Sequence, residues 1–244
     1  MLNAFSQPYS DIGNAMLGQN AQLMTQPGFA GQFVSFGSDS APYVQLVLED
    51  FSVLSGADIA DIVHFLCVLH GRHPGVIDHA ATKTVDDAAR EWLIQATDGF
   101  AAERAFLTKL TVAAGPISGV SLDDQSNAAV LGQRKALDML SQSERAGCAI
   151  GAAIALVADW HCVRNILEQI ALRVGVEARA SILPSVAATT ELNSLLANTP
   201  ALERALNFGA SNCSTSIAGC GNFWKRAGTC GFPDKPGGGF RKIN

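Results

Sequence analysis

The stretch that most limits how this chain can fold is GCAIGAAIALVADW, residues 147–160. It is almost wholly apolar and consists largely of glycine and alanine. Such a segment must be buried, yet its side chains are too small to fill the space around it. Another backbone has to come close. Alanine favours helix over strand, and Gly147 and Gly151, one turn apart, leave room for a neighbouring helix. Ser143 is a cap candidate, Glu144 suits the positive helix start, and Gly175 is a stop. The pattern predicts one long helix over residues 143–174. Its uninterrupted apolar run, 149–158, is shorter than the roughly 20 residues that cross a bilayer, so it is read as a core helix with no membrane partner.

Other segments carry the same period. Ala88, Ala89, Trp92, Ala96, Phe100, Leu107 and Leu110 continue a stripe from Val85, predicting a helix over 85–114 stopped by Gly115-Pro116. A helix over 57–70 is apolar nearly all round, with Ser55 or Asp58 as cap and Gly71 at its end. Helices are also expected over 43–54 and 123–141, with a pair within 184–208 divided near Asn198-Thr199-Pro200. Residues 71–84, with Pro74 and Gly75, read as a loop holding at most one short turn. Aromatic residues are only 7% of the chain, which further disfavours sheet. The expected fold is all-α: a single helical-bundle domain of five to seven helices over residues 42–210.

The ends differ from this body. Residues 1–41 are rich in Gly, Gln, Ser and Asn and read as an irregular arm, with a short helix over 11–24. Residues 211–244 hold seven glycines and three cysteines and read as a disordered tail. The spacing Cys213-x6-Cys220-x9-Cys230 lacks the close cysteine pairs of zinc sites. Back-translated with GC-rich codons and read two bases later, residues 211–226 become QLLNQHRGLWQLLEAR, an amphipathic helix that would extend residues 201–208. One expectation for the tail is that it arose from a shifted reading frame, which the gene's nucleotides decide.

The net charge of −5 divides unevenly. Residues 1–210 hold 12 basic and 21 acidic side chains; residues 211–244 hold five basic and one acidic. An acidic body repels phosphate backbones, so nucleic acid is not an expected partner. No basic start precedes an apolar run near the N-terminus. Three of the six cysteines lie in apolar helical contexts, where free thiols pack as small hydrophobes. These features point to a reduced, cytoplasmic protein.

Four of the five histidines, His64, His70, His73 and His79, fall within sixteen residues. Crowding in sequence does not make a site. His70 continues the stripe of Ile59, Ile62, Val63 and Leu66. His64 lies off it beside Asp61, and His73 and His79 fall in the loop. With Arg72 and Asp78 they are candidates to line a pocket mouth. The fifth, His161, continues Ile150, Ile154 and Val157 on one helical line, while Asp159 sits on another, solvated face. Glu103 lies eighteen residues after Val85, close to five whole turns, at the centre of an apolar stripe. A buried carboxylate must be paired, metal-bound or protonated. Glu103 is thus either a metal ligand or general acid/base, or the partner of Arg134, Arg145 or Arg164. His161 and His70 are candidate ligands or proton shuttles, or core histidines held by backbone carbonyls and helix ends.

Motifs for specific chemistries are missing: two Glu-x-x-His repeats for a di-iron bundle, His-Glu-x-x-His, nucleotide-binding glycine loops, and a Gly-x-Ser-x-Gly elbow. The strings LHGRHPGVIDHAA, AERAFLTKLTVAAGPIS and GCAIGAAIALVADW resemble a group of uncharacterised alphaproteobacterial proteins with a domain of unknown function, over residues 40–210. The resemblance supplies no activity, and the cofactor is left unknown. In architecture alone, a bundle with inward Glu and His is similar to ferritin-like and haem-oxygenase-like proteins. Two functions follow as expectations. One is a non-enzymatic interaction or regulatory protein binding a partner or a second copy of itself. The other is a metal- or small-ligand-binding bundle in which Glu103, His161 and His70 converge.

Overall fold

A computed structural model describes Ser38, residues 42–117 and residues 124–227. These form eight α-helices and a 3-10 turn, with no strand among the described residues: α1 Pro42–Glu49, the turn Phe51–Val53, α2 Gly56–His70, α3 Val76–Lys83, α4 Asp87–Ala114, α5 Asp124–Ser141, α6 Cys148–Val174, α7 Val186–Leu196 and α8 Pro200–Ala227. The arm over 1–37 with its 11–24 helix, and residues 228–244, lie outside the described residues.

α6 is the axis of the fold. It packs against α1, α3, α4, α5, α7 and α8, and every residue from Cys148 to Val157 is buried. By length and composition α6 would pass as a membrane span, longer than the ten-residue run suggested, but 78% of that window is buried within the bundle. Its closest neighbour is α8. A Cβ on Gly151 would strike the Leu206 backbone, and one on Gly209 would strike the Cys148 carbonyl. The two backbones therefore touch where the sequence is smallest. α6 begins at Cys148, later than Ser143. Gly147 is its N-cap in the left-handed region, with φ +87°, and Lys83 Nζ holds the preceding turn through the carbonyls of Gln142 and Ser143.

Three expectations are corrected. Residues 76–83, read as loop, form α3, in which the Asp78 carboxylate accepts the Gly75 N–H at 2.8 Å. Pro74 and Gly75 mark its start, and eight residues are too few to show a period. Val85 and Ala88 do not join the core: Val85 is 94% exposed, because α4 starts two residues after it. The tail does not begin at residue 211. α8 continues to Ala227, with Ala210, Cys213 and Ser214 buried. Leu206, Ala210 and Cys213 keep helical spacing, and Gly209 lies directly against the Cys148 carbonyl of α6.

Candidate functional site

Glu103 lies on the buried face of α4 with Ala96, Phe100 and Leu107, and is 1% exposed. Arg164 of α6 meets it: Nη1 lies 2.7 Å from each carboxylate oxygen. The Trp160 indole N–H donates to Oε2 at 3.1 Å, one turn earlier on α6. The Ser181 hydroxyl donates to Oε1 at 2.8 Å. Of the three arginines considered as partners, Arg164 is the one. Its other nitrogens are engaged as well. Nε donates to Glu168 at 3.1 Å, Nη2 donates to the Arg179 carbonyl, and the guanidinium lies 4.3 Å from the centroid of Phe106. Buried charges persist only when paired and hydrogen-bonded, and this pair is both.

His70 closes the last turn of α2 and is 6% exposed. Its imidazole packs edge-on against Trp160 at 5.3 Å between centroids and against Phe100 at 6.3 Å. Phe100 and Trp160 meet each other at 4.8 Å. Nothing among these rings compensates a positive charge as water does, and burial lowers the His70 pKa to about 4. It is a neutral ring at physiological pH. Trp160 thus joins two of the candidates, with its ring against His70 and its N–H on Glu103.

His161 turns elsewhere. Its Nε2 lies 3.1 Å from the carbonyl oxygen of Pro184, in the segment between α6 and α7. His64 does the same with the Gly115 carbonyl at 2.8 Å, closing the end of α4 onto α2. Asp159, read as solvated, is buried and accepts the Ser38 hydroxyl at 2.8 Å and its N–H. With burial, the Asp159 charge holds the Cys213 thiol well above its ordinary range.

The candidate pocket mouth is a capped helix start. Arg72 and His73 are exposed, Asp78 is buried and His79 is half-buried on α3. Asp78 receives Arg104 Nη1 at 3.0 Å and lies 3.2 Å from His73 Nδ1. Burial raises the Asp78 carboxyl, but the Gly75 N–H, Arg104 and His73 outweigh it and leave the pKa below the ordinary carboxylate value.

Among the described residues no three His, Cys, Asp or Glu side chains gather closely enough to hold a metal ion. The model of a family of unknown function, DUF6975, matches residues 34–219. The chain belongs to that family. The match extends past the 40–210 resemblance at both ends and includes the first turns of α8 beyond Ala210. No curated protein and no solved structure matches the chain.

Sequence reasoning reaches Glu103 and names Arg164 among its possible partners. It misses Trp160 and Ser181 as donors to the carboxylate. Trp160 has a usable signal, since it sits four residues before Arg164 and shares its helix face. Ser181 has none, because it arrives from an irregular segment.

Proposed function

We propose that this DUF6975 protein is a non-enzymatic interaction or regulatory protein: a soluble, cytoplasmic helical bundle that binds a protein partner or a second copy of itself. The observation that carries this reading is the state of Glu103. Arg164, Trp160 and Ser181 together make four hydrogen-bond contacts to its two oxygens, and it is 1% exposed. A carboxylate so saturated has no lone pair directed at a substrate. His70 is likewise committed to an aromatic cluster and His161 to a backbone carbonyl. What remains for contact with other molecules is the surface. There, Val85 at 94% and Ile94 at 60% exposure line a shallow groove with Leu93 and Thr97. The acidic body speaks against nucleic acid as the partner.

Glu103→Gln tests the reading. Elemental analysis and native mass spectrometry of the wild-type protein are expected to find neither stoichiometric metal nor retained ligand, and the variant is expected to lose stability. A metal or ligand bound by the wild type and lost from a fully folded Glu103→Gln would overturn it. That result would establish instead a binding bundle using Glu103, His161 and His70. Sedimentation velocity of the wild type then separates self-association from the need for another partner.

A further inference from the structure

Residues 177–184 join α6 to α7 without regular structure, yet helix side chains grip them at Arg179, Ser181, Ile182 and Pro184. Arg164 of α6 donates to the Arg179 carbonyl. Gln95 of α4 donates to the Ile182 carbonyl at 3.2 Å. His161 of α6 lies 3.1 Å from the Pro184 carbonyl. Ser181 places its hydroxyl on Glu103 at 2.8 Å. Beneath the segment, Gly99 of α4 lets its backbone lie almost flush on the helix: a Cβ there would sit 3.0 Å from the Leu183 Cα and N. Among the described residues no backbone–backbone hydrogen bond ties 177–184 to the bundle; the last is Val176 N–H to the Ala171 carbonyl. Residues 177–180 are exposed, and only Leu183 and Pro184 are buried.

We infer that residues 177–184 are a releasable strap, clasped by Gln95, Glu103, His161 and Arg164, which opens as one unit while the bundle stays folded. The grips all come from helices that have their own hydrogen bonds and core contacts, so releasing them costs the helices little. When the strap lifts, water replaces the Arg179 carbonyl on Arg164 and the Ser181 hydroxyl on Glu103. The buried pair and the Trp160 N–H bonded to it then meet solvent. Segments held by few contacts open well below the energy of global unfolding. The candidate catalytic residues Glu103 and His161 act in this fold as positioning residues for a movable segment.

Exchange of the Trp160 indole hydrogen, followed by NMR on the full-length protein with labelled tryptophan, reads this opening. The expected rate is insensitive to low urea and at least about tenfold faster than exchange of backbone amides in the centre of α6. Gly99→Ala, which pushes the strap backbone at Leu183 away from α4, is expected to speed it at least about tenfold further and to create a tryptic cut after Arg179. Leu183→Ser does the same from the strap side should Gly99→Ala fail to fold. Trp160 exchange that follows the α6 amides in rate and urea dependence, in wild type and variant alike, overturns the inference.

Discussion

Arg164 holds Glu103 through a single nitrogen, Nη1, placed 2.7 Å from both carboxylate oxygens. Neither residue is more than 8% exposed; Arg164 is the counter-charge of Glu103, while Arg164 also pairs with Glu168 at 3.1 Å. Removing one leaves a buried charge without its partner, which costs about 3–5 kcal/mol. Arg164→Met is expected to destabilise the fold by that much, and Glu103→Leu by less, because Arg164 keeps its ion pair with Glu168. The double variant is expected to recover much of the loss, because replacing a buried pair with apolar groups of similar volume is often neutral. A double-mutant cycle in urea checks this. Additive losses would mean that Trp160 and Ser181, rather than the ion pair, hold Glu103 in place.

His70 makes stability depend on pH. Its folded pKa of about 4 lies below the ordinary 6.5, so the unfolded chain takes up the proton first. The contribution of a neutral His70 is complete above pH 6.5 and is lost as pH falls toward 4. Each tenfold difference in proton affinity between the two states is worth about 1.4 kcal/mol, which makes the loss about 3 kcal/mol. His70→Phe keeps an aromatic ring against Trp160 and Phe100 and removes the titration. Denaturant unfolding at pH 7 and pH 4 is expected to show the wild type losing about 3 kcal/mol more than the variant. Equal losses would place the acid sensitivity in the carboxylates, Asp78 among them.

The α6–α8 contact predicts intolerance to a single methyl group. Gly151→Ala puts a Cβ into the Leu206 backbone, and backbone cannot swing aside as a side-chain tip can. Helix propensity alone would favour alanine by about 1 kcal/mol. Overpacking is expected to outweigh that gain, for a net loss of about 1–3 kcal/mol. Gly132 of α5 has nothing within 4 Å of its would-be Cβ. Gly132→Ala is therefore the control and is expected to stabilise. Thermal melts of the two variants should move in opposite directions.

Legibility in the sequence follows residue type and period. The α6 core can be read because Gly and Ala at helical spacing allow few other structures. Glu103 can be read because a carboxylate at the centre of an apolar stripe demands a partner. The strap cannot be read. Its anchors are the carbonyls of Arg179, Ile182 and Pro184, and a carbonyl belongs to every residue alike. Asp159 does sit on a different helix face from His161, but that face reads as solvated because its cover includes Ser38, 121 positions away. α3 is hidden by its brevity. α8 reads as ending early because Gly209, Ala210, Cys213 and Ser214 carry the composition of a linker while performing the packing of a core.

Cys213 decides whether α8 beyond residue 210 belongs to the bundle. Its side chain is fully buried, and burial together with Asp159 raises its thiol pKa, which suppresses the thiolate. Two results follow. Under native conditions Cys213 is expected to resist a thiol reagent such as Ellman's reagent until the protein unfolds, while Cys67 and Cys162, both half-buried, react earlier. Cys213→Asp is expected to destabilise the fold by at least about 3 kcal/mol, since it buries a second carboxylate beside the Asp159 charge. Mass-spectrometric mapping of labelled cysteines and urea unfolding read the two effects separately. Rapid native labelling of Cys213 together with a neutral Cys213→Asp would return residues 211–227 to the status of a detached tail, and the folded domain would then end near Ala210.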